Sequence, residues 1–262
     1  MSETVLYHLE ISHYNEKARW ALDYKGVPHE RRTPIPMLHA LRALAMTRKP
    51  TLPVLKLHGK AIGDSTRIIE ALEREYPEPP LYPSDRDERR RALELEDFFD
   101  EELGPYIRRW LFYEAMEGLE PSEFIGGAMP SAPSSVKAMM RVTSPVASRV
   151  VKLRYGIKAE DARVARGKVE AALDRVEQEL QPSGYLVGDR FSVADLTAAA
   201  LLFPLVLPPE APHRFEGQFP APVTNFRDSV ADRRAFKWVE EIYRRHRGTS
   251  SAIPSGAQRA AA

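Results

Sequence analysis

Two short stretches of this 262-residue sequence carry side chains whose types and spacing suit chemistry. The first is Ser12-His13-Tyr14-Asn15, where β-like alternation gives way to a helical period. If Ser12 ends a strand and begins a helix, its hydroxyl sits among backbone N–H groups that point outward with partial positive charge. Such a place favours an anion, and it is equally a place for a plain helix cap. The second is Gly63-Asp64-Ser65, again just ahead of a helical stretch. A serine hydroxyl and free N–H groups at a helix start form a carboxylate site, and an aspartate beside them can hold an ammonium group. From this motif alone, the ligand site and the ordinary Asp/Ser cap are even readings.

Other chemistry is excluded by composition. The chain has no cysteine, so it has no redox pair, no cysteine nucleophile and no thiolate metal site. Its seven histidines are scattered without metal-ligand spacing, and no glycine-rich phosphate cradle appears. A formal net charge of +1 gives no global reason to expect nucleic acid, and Arg86–Arg91 reads as a solvated helix face. The most apolar run, 196–208, is too short to span a bilayer and contains Pro204. With no secretory signal at its start, the sequence reads as cytoplasmic, with no membrane partner.

The elements that must position these residues follow from periodicity. Residues 4–11 read as a strand with Val5, Tyr7, Leu9 and Ile11 on one side. A helix follows from Glu16 and stops near Lys25-Gly26. Residues 30–36 read as an edge strand, and a weak helix follows. Residues 53–57 and 60–63 form a hairpin, and Ile68, Ile69 and Leu72 stripe the next helix. The order βαβ–α–ββα is a small α/β unit over 1–79. A proline-rich linker at 80–85 separates it from an all-helical part at 86–247, and 248–262 has the composition of a flexible tail. Within the helical part, 85–116 reads as one long helix, 118–135 as a loop and 136–154 as a helix. Val169, Leu173, Val176 and Leu180 form a helical stripe, and 224–246 reads as a last helix. Near its middle, Ser192 and Asp195 have the spacing of a capping box, with Phe191 and Leu196 as a hydrophobic staple. This motif is structural.

Taken together, the α/β unit, Thr51–Leu55, Gly63–Glu73, the proline-rich break and Gly188–Leu196 resemble the soluble glutathione transferase superfamily over about residues 4–246. The resemblance implies a thioredoxin-like N-terminal domain that binds glutathione and an all-α C-terminal domain that walls the site of a hydrophobic electrophile. It also implies a homodimer. No cofactor beyond glutathione as co-substrate, and no metal, is implied. By the resemblance Pro53 is a cis-proline, and the backbone of Leu52 pairs with the cysteinyl part of glutathione; the residue reading alternative is a trans proline that starts a strand. Asp64 and Ser65 hold the γ-glutamyl amine and carboxylate. Thr51 stands where the family often has lysine, leaving Lys49 as the nearby cation.

Ser12 matches the family's serine-type position, donating to the glutathione thiolate. A thiol with pKa about 8.5 is half ionised at pH 7 if about 2 kcal/mol favours the thiolate. A hydrogen bond to a charged acceptor supplies about 1.5–3 kcal/mol and a helix terminus about 0.3–1. No base is needed. Tyr14 and His13 are further catalytic or pocket candidates, and Tyr7 reads as core. Other branches use a strand tyrosine, a place that falls here on His8. The expected activity is thiol addition to an electrophilic carbon, or a related isomerisation or dehalogenation. The pocket for the electrophile is expected from Ser12–Tyr14, the helix over 98–116 and the 118–135 loop. The other readings are a non-catalytic ligand-binding or scaffold protein and a transferase that uses a different low-molecular-weight thiol.

Overall fold

β1 (Val5–Tyr7) alternates as a central strand should: Leu6 enters the main core, while Val5 and Tyr7 face the other way with Ala43 and Val54. The strand stops at Tyr7, short of the expected residue 11. The Arg19 guanidinium takes the carbonyls of Leu9 and Glu10, at 3.0 and 2.9 Å, so those groups leave the ladder and the chain turns. The molecule is a computed structural model that describes residues 4–34, 39–120, 158–213, 215 and 217–254, with isolated positions between 121 and 157.

α1 (His13–Tyr24) follows the turn and ends where Gly26 takes a φ of +61°, with Val27 N–H bonded back to the Leu22 carbonyl. β2 (His29–Arg32), α2 (His39–Thr47), β3 (Val54–Leu57), β4 (Lys60–Gly63) and α3 (Ser65–Glu75) complete the α/β unit. β1 runs parallel to β2 and antiparallel to β3, with Val5 opposite Glu30 and Lys56. β4 closes one edge.

The other edge holds a correction. The sequence places 248–262 in a flexible tail, yet β5 (Ala252–Ile253) pairs parallel to β2, giving the order β4-β3-β1-β2-β5. Asp23 decides this: its carboxylate accepts from the Ser251 N–H at 2.9 Å and from the Ser250 hydroxyl at 3.3 Å. Residues 255–262 lie outside the described residues.

In the helical part, α4 (Arg86–Glu102) starts under Asp85, whose carboxylate accepts from the N–H groups of Asp87 and Glu88. The long helix expected through 85–116 breaks at Leu103, and α5 (Gly104–Gly118) begins with Pro105 in its first turn. α6 (Ala159–Glu179), α7 (Val193–Val206), α8 (Ala221–Val230) and α9 (Arg234–His246) follow. The single helix expected at 224–246 is two, because Glu177 of α6 accepts from the Ala235 N–H and pairs with Arg233, starting α9 afresh. The loop expected at 118–135 and the helix at 136–154 lie largely outside the described residues.

α7 is buried almost all round and packs on α1 and α4. Asp195 accepts from the N–H groups of Ser192 and Leu186 at 2.9 and 2.8 Å, and from the Ser192 hydroxyl at 3.0 Å. One cluster of buried side chains runs from Leu6, Trp20 and Ile68 through Phe99 to Leu201 and Tyr243. The two parts therefore share a core. The linker region is tied in as well: Leu81 is buried, its N–H donates to Glu73 and its carbonyl accepts from Val193.

Candidate functional site

A cleft of about 610 Å³ opens between the α/β unit and α4. Tyr14 of α1, the Thr51-Leu52-Pro53 turn, Asp64 to Arg67 with Glu70 on α3, and Asp97, Asp100 and Glu101 on α4 line it. The Leu52–Pro53 bond is cis. Of the residues singled out from sequence, Tyr14, Leu52, Pro53, Asp64 and Ser65 thus meet around one cavity. Ser12, His13 and Lys49 are not among its lining residues.

Asp64 caps α3, accepting from the Thr66 N–H at 3.1 Å, and does so at a φ of 84°, a conformation that costs a non-glycine residue on the order of 1–3 kcal/mol. Ser65 is buried at the first helical position. The strained turn thereby presents an aspartate and a helix N-terminus to the cavity together. Lys49, expected to face a carboxylate, is largely exposed and lies 3.9 Å from Asp64, a solvent-screened ion pair instead.

At the head of α1, Ser12 is half-buried at the N-cap, and its side chain makes no cap hydrogen bond. The first helical bond runs from Glu16 N–H to the Ser12 carbonyl, so the N–H groups before it are those a helix leaves unpaired. The other two candidates are committed. Tyr14 donates its phenolic proton to the Asp100 carbonyl at 2.6 Å, and burial, then the charge of Asp100, raises its pKa well above the ordinary range. His13 donates from Nε2 to the Gly104 carbonyl at 2.9 Å. Burial, with Arg108 adding to it, lowers the His13 pKa to about 3, so the ring is neutral. Both side chains clamp α1 to the α4–α5 junction. Gly104 makes this approach feasible, since a Cβ there would lie 2.1 Å from the Tyr14 hydroxyl. His8 is buried and accepts from Arg19, and Tyr7 is core.

Beneath the cleft, Lys17 is fully buried and pairs with Glu96 at 2.8 Å and Asp100 at 2.6 Å, and it donates to the Thr66 hydroxyl at 3.0 Å. This one ammonium joins α1, α3 and α4. Sequence reasoning missed it, because its partners lie some fifty and eighty residues away. It missed the α4 wall too, although Asp97, Asp100 and Glu101 stand three and four residues apart, as one helix face requires. The lining is acidic: it holds five carboxylates and one guanidinium, that of Arg67, and Lys17 pairs with one of the carboxylates, Asp100. Among the described residues, no group of three or more His, Asp or Glu could hold a metal ion, and no helix is long and apolar enough to cross a membrane.

Residues 6–80 match the family profile described as the glutathione S-transferase N-terminal domain, and residues 157–245 match that of the C-terminal domain. The chain is 28% identical over 113 residues to maleylacetoacetate isomerase from Dictyostelium discoideum, covering 40% of this chain and half the length of that relative. It is 26% identical over 206 residues to FtsZ-localized protein A from Caulobacter vibrioides, covering 76% of each. Among solved structures, a glutathione S-transferase from Methylobacterium radiotolerans, in complex with glutathione sulfonate, superposes with a TM-score of 0.54 at 22% identity. That match covers 90% of this chain and 93% of the other.

Proposed function

This chain belongs to the glutathione S-transferase superfamily, and from that premise we propose that it is a serine-type transferase whose Ser12 hydroxyl donates to the thiolate of bound glutathione. The thiol proton leaves to solvent. The sulfur lone pair then forms a C–S bond to an electrophilic carbon of a hydrophobic co-substrate, and the leaving group departs with its electron pair. Isomerisation, in which the thiol adds and later leaves, uses the same site, and the name of the Dictyostelium relative supports that variant.

The observation that carries this reading is the meeting of Tyr14, Leu52, Pro53, Asp64 and Ser65 around one cleft. It offers a tripeptide a backbone edge at Leu52, a helix N-terminus at Ser65 and a carboxylate at Asp64. Within the Ser-His-Tyr-Asn tetrapeptide, Tyr14 has spent its proton and His13 is neutral and bonded, which leaves Ser12 as the free hydroxyl. A homodimer in the cytoplasm, binding neither nucleic acid nor membrane, completes the proposal.

Two observations favour narrower alternatives. The acidic lining suits a thiol carrying fewer carboxylates than glutathione. The Caulobacter relative, named for its localisation with FtsZ, favours a binding protein without turnover. Titration calorimetry separates the three. Glutathione is expected to bind with one site per chain at millimolar or lower concentration. Heat only with an amine-rich thiol moves the proposal to that thiol, and no heat with any thiol leaves the binding protein.

A further inference from the structure

The segment after α9 reaches back across the molecule to α1, the helix whose N-cap is Ser12. Arg247 is 2% exposed, and its Nε donates to Glu16 at 2.6 Å while Nη1 donates to Asp23 at 2.9 Å. The second Glu16 oxygen accepts from Arg19 Nε at 2.9 Å. Arg19 in turn donates from Nη1 to the Leu9 carbonyl at 3.0 Å and from Nη2 to the Glu10 carbonyl at 2.9 Å. The Leu9 carbonyl also accepts the Ser12 N–H at 3.3 Å. An unbroken run of hydrogen bonds therefore leads from Arg247 through Glu16 and Arg19 to the backbone around Ser12.

We propose that Arg247 is a positioning residue for the Ser12 site, with the C-terminal segment acting as a strap that fixes the β1–α1 loop through Glu16 and Arg19. The Ser12 part rests on the function proposed above; the strap itself does not.

The physical case is charge accounting in a dry place. Glu16 lies between two guanidiniums, and both are needed to fix the direction of its two oxygens. Burial alone would raise its pKa, but Arg247 and Arg19 outweigh that and hold the carboxyl below its usual range. Without Arg247, Glu16 keeps one partner and can rotate toward it, which frees the orientation of Arg19 and of the two carbonyls it grips. The strap is anchored independently of Arg247. Ser250 and Ser251 bond to Asp23, β5 pairs with β2, and Trp20 Nε1 donates to the His246 carbonyl at 3.0 Å. Arg31 also donates to Asp23 at 2.6 Å, so Asp23 retains a cation when Arg247 is removed. None of these groups lines the cleft, so glutathione binding and loop position should separate.

The test uses the full chain with Arg247→Ala and Arg247→Lys. Hydrogen exchange is read at the Leu9 and Ser12 amides, well below the melting temperature of each variant. Arg247→Ala is expected to speed exchange at these two amides at least tenfold and to raise the apparent pKa of the enzyme-bound thiol. The thiol is followed by ultraviolet absorbance of its thiolate, and the Kd for glutathione should stay within twofold. Arg247→Lys, which keeps the charge but replaces the planar guanidinium fork with one ammonium, is expected to fall between, and it carries the test if the alanine variant does not fold. Parent-like exchange at Leu9 and Ser12 in the folded variant overturns the strap. If exchange rises while the thiol pKa stays put, the strap stands and the role given to Ser12 falls.

Discussion

Ser12, Tyr14 and His13 show how three neighbouring polar side chains come to have different roles. Ser12 is the N-cap of α1 and the other two stand in its first turn, yet only the serine keeps its donor uncommitted, because the other two reach the α4–α5 junction. Ser12→Ala is therefore expected to leave the fold intact, since no cap bond is lost. Turnover of a chlorinated aromatic substrate should fall about ten- to a hundredfold, the worth of one hydrogen bond to a charged acceptor. Steady-state kinetics with glutathione binding measured alongside check this, and unchanged turnover would sink the serine role. Residue types made the helix start at Ser12 legible in sequence. The commitments of Tyr14 and His13 were not, because both partners are backbone carbonyls about ninety residues away.

At the scale of elements, the joint between α1, α3 and α4 rests on one buried cation. Lys17 has no exposed side-chain surface, and it faces Glu96 and Asp100. Replacing it with methionine leaves two carboxylates buried without a cation, a loss expected to cost about 3–5 kcal/mol at pH 7. Burial pushes the Glu96 pKa upward even with Lys17 present, so the variant should recover part of its loss on acidification, as Glu96 takes a proton. Urea unfolding of Lys17→Met against the parent chain at pH 7 and pH 5 checks this; an equal deficit at both pH values would contradict it. The break between α4 and α5 belongs to the same scale. Gly104 and Pro105 were visible in the sequence, but the tyrosine that needs the missing Cβ was not.

For the molecule as a whole, buried neutral histidines set an acid limit. Burial lowers the pKa of His8 far below 6.5, and that of His13 to about 3. Between the unfolded value near 6.5 and the folded values, the unfolded chain binds protons that the folded chain refuses, so stability falls as pH drops. Each histidine contributes about 1.4 kcal/mol per pH unit across that window. Glu16 and Asp23, held below their ordinary range against burial by arginines, extend the same trend to lower pH. Below about pH 6, His8 and His13 together are thus expected to contribute a decline of about 3 kcal/mol per unit. His29, His213 and His246, whose pKa values burial also lowers, add to that decline, while Asp195 and Glu96, whose carboxyls burial pushes up, oppose it. His13→Gln, which can still donate to the Gly104 carbonyl, should reduce the measured slope by about 1.4 kcal/mol per pH unit, one histidine's share. A slope unchanged by the substitution would show that His13 is not a source.

What the sequence determined by itself is what depends on neighbours a few residues away. Strand alternation, the Ile68–Leu72 stripe, the Ser192–Asp195 cap and the Asp64-Ser65 helix start are all written within single turns, and periodicity exposes them. These sufficed for the two-part architecture and for the Asp64-Ser65 part of the cleft's N-terminal wall, while Leu52 and Pro53 were expected there from the family resemblance. Tertiary structure alone decided where polar groups of distant segments satisfy one another: Lys17 with Glu96 and Asp100, Arg247 with Glu16 and Asp23, Tyr14 with the Asp100 carbonyl. It also turned a tail of Ser, Ala and Ile into a fifth strand, because an open edge at β2 and the Asp23 carboxylate were waiting for backbone donors. A buried charge or an unpaired strand edge must find a partner somewhere in the folded chain, and no local pattern specifies which distant residue that partner is.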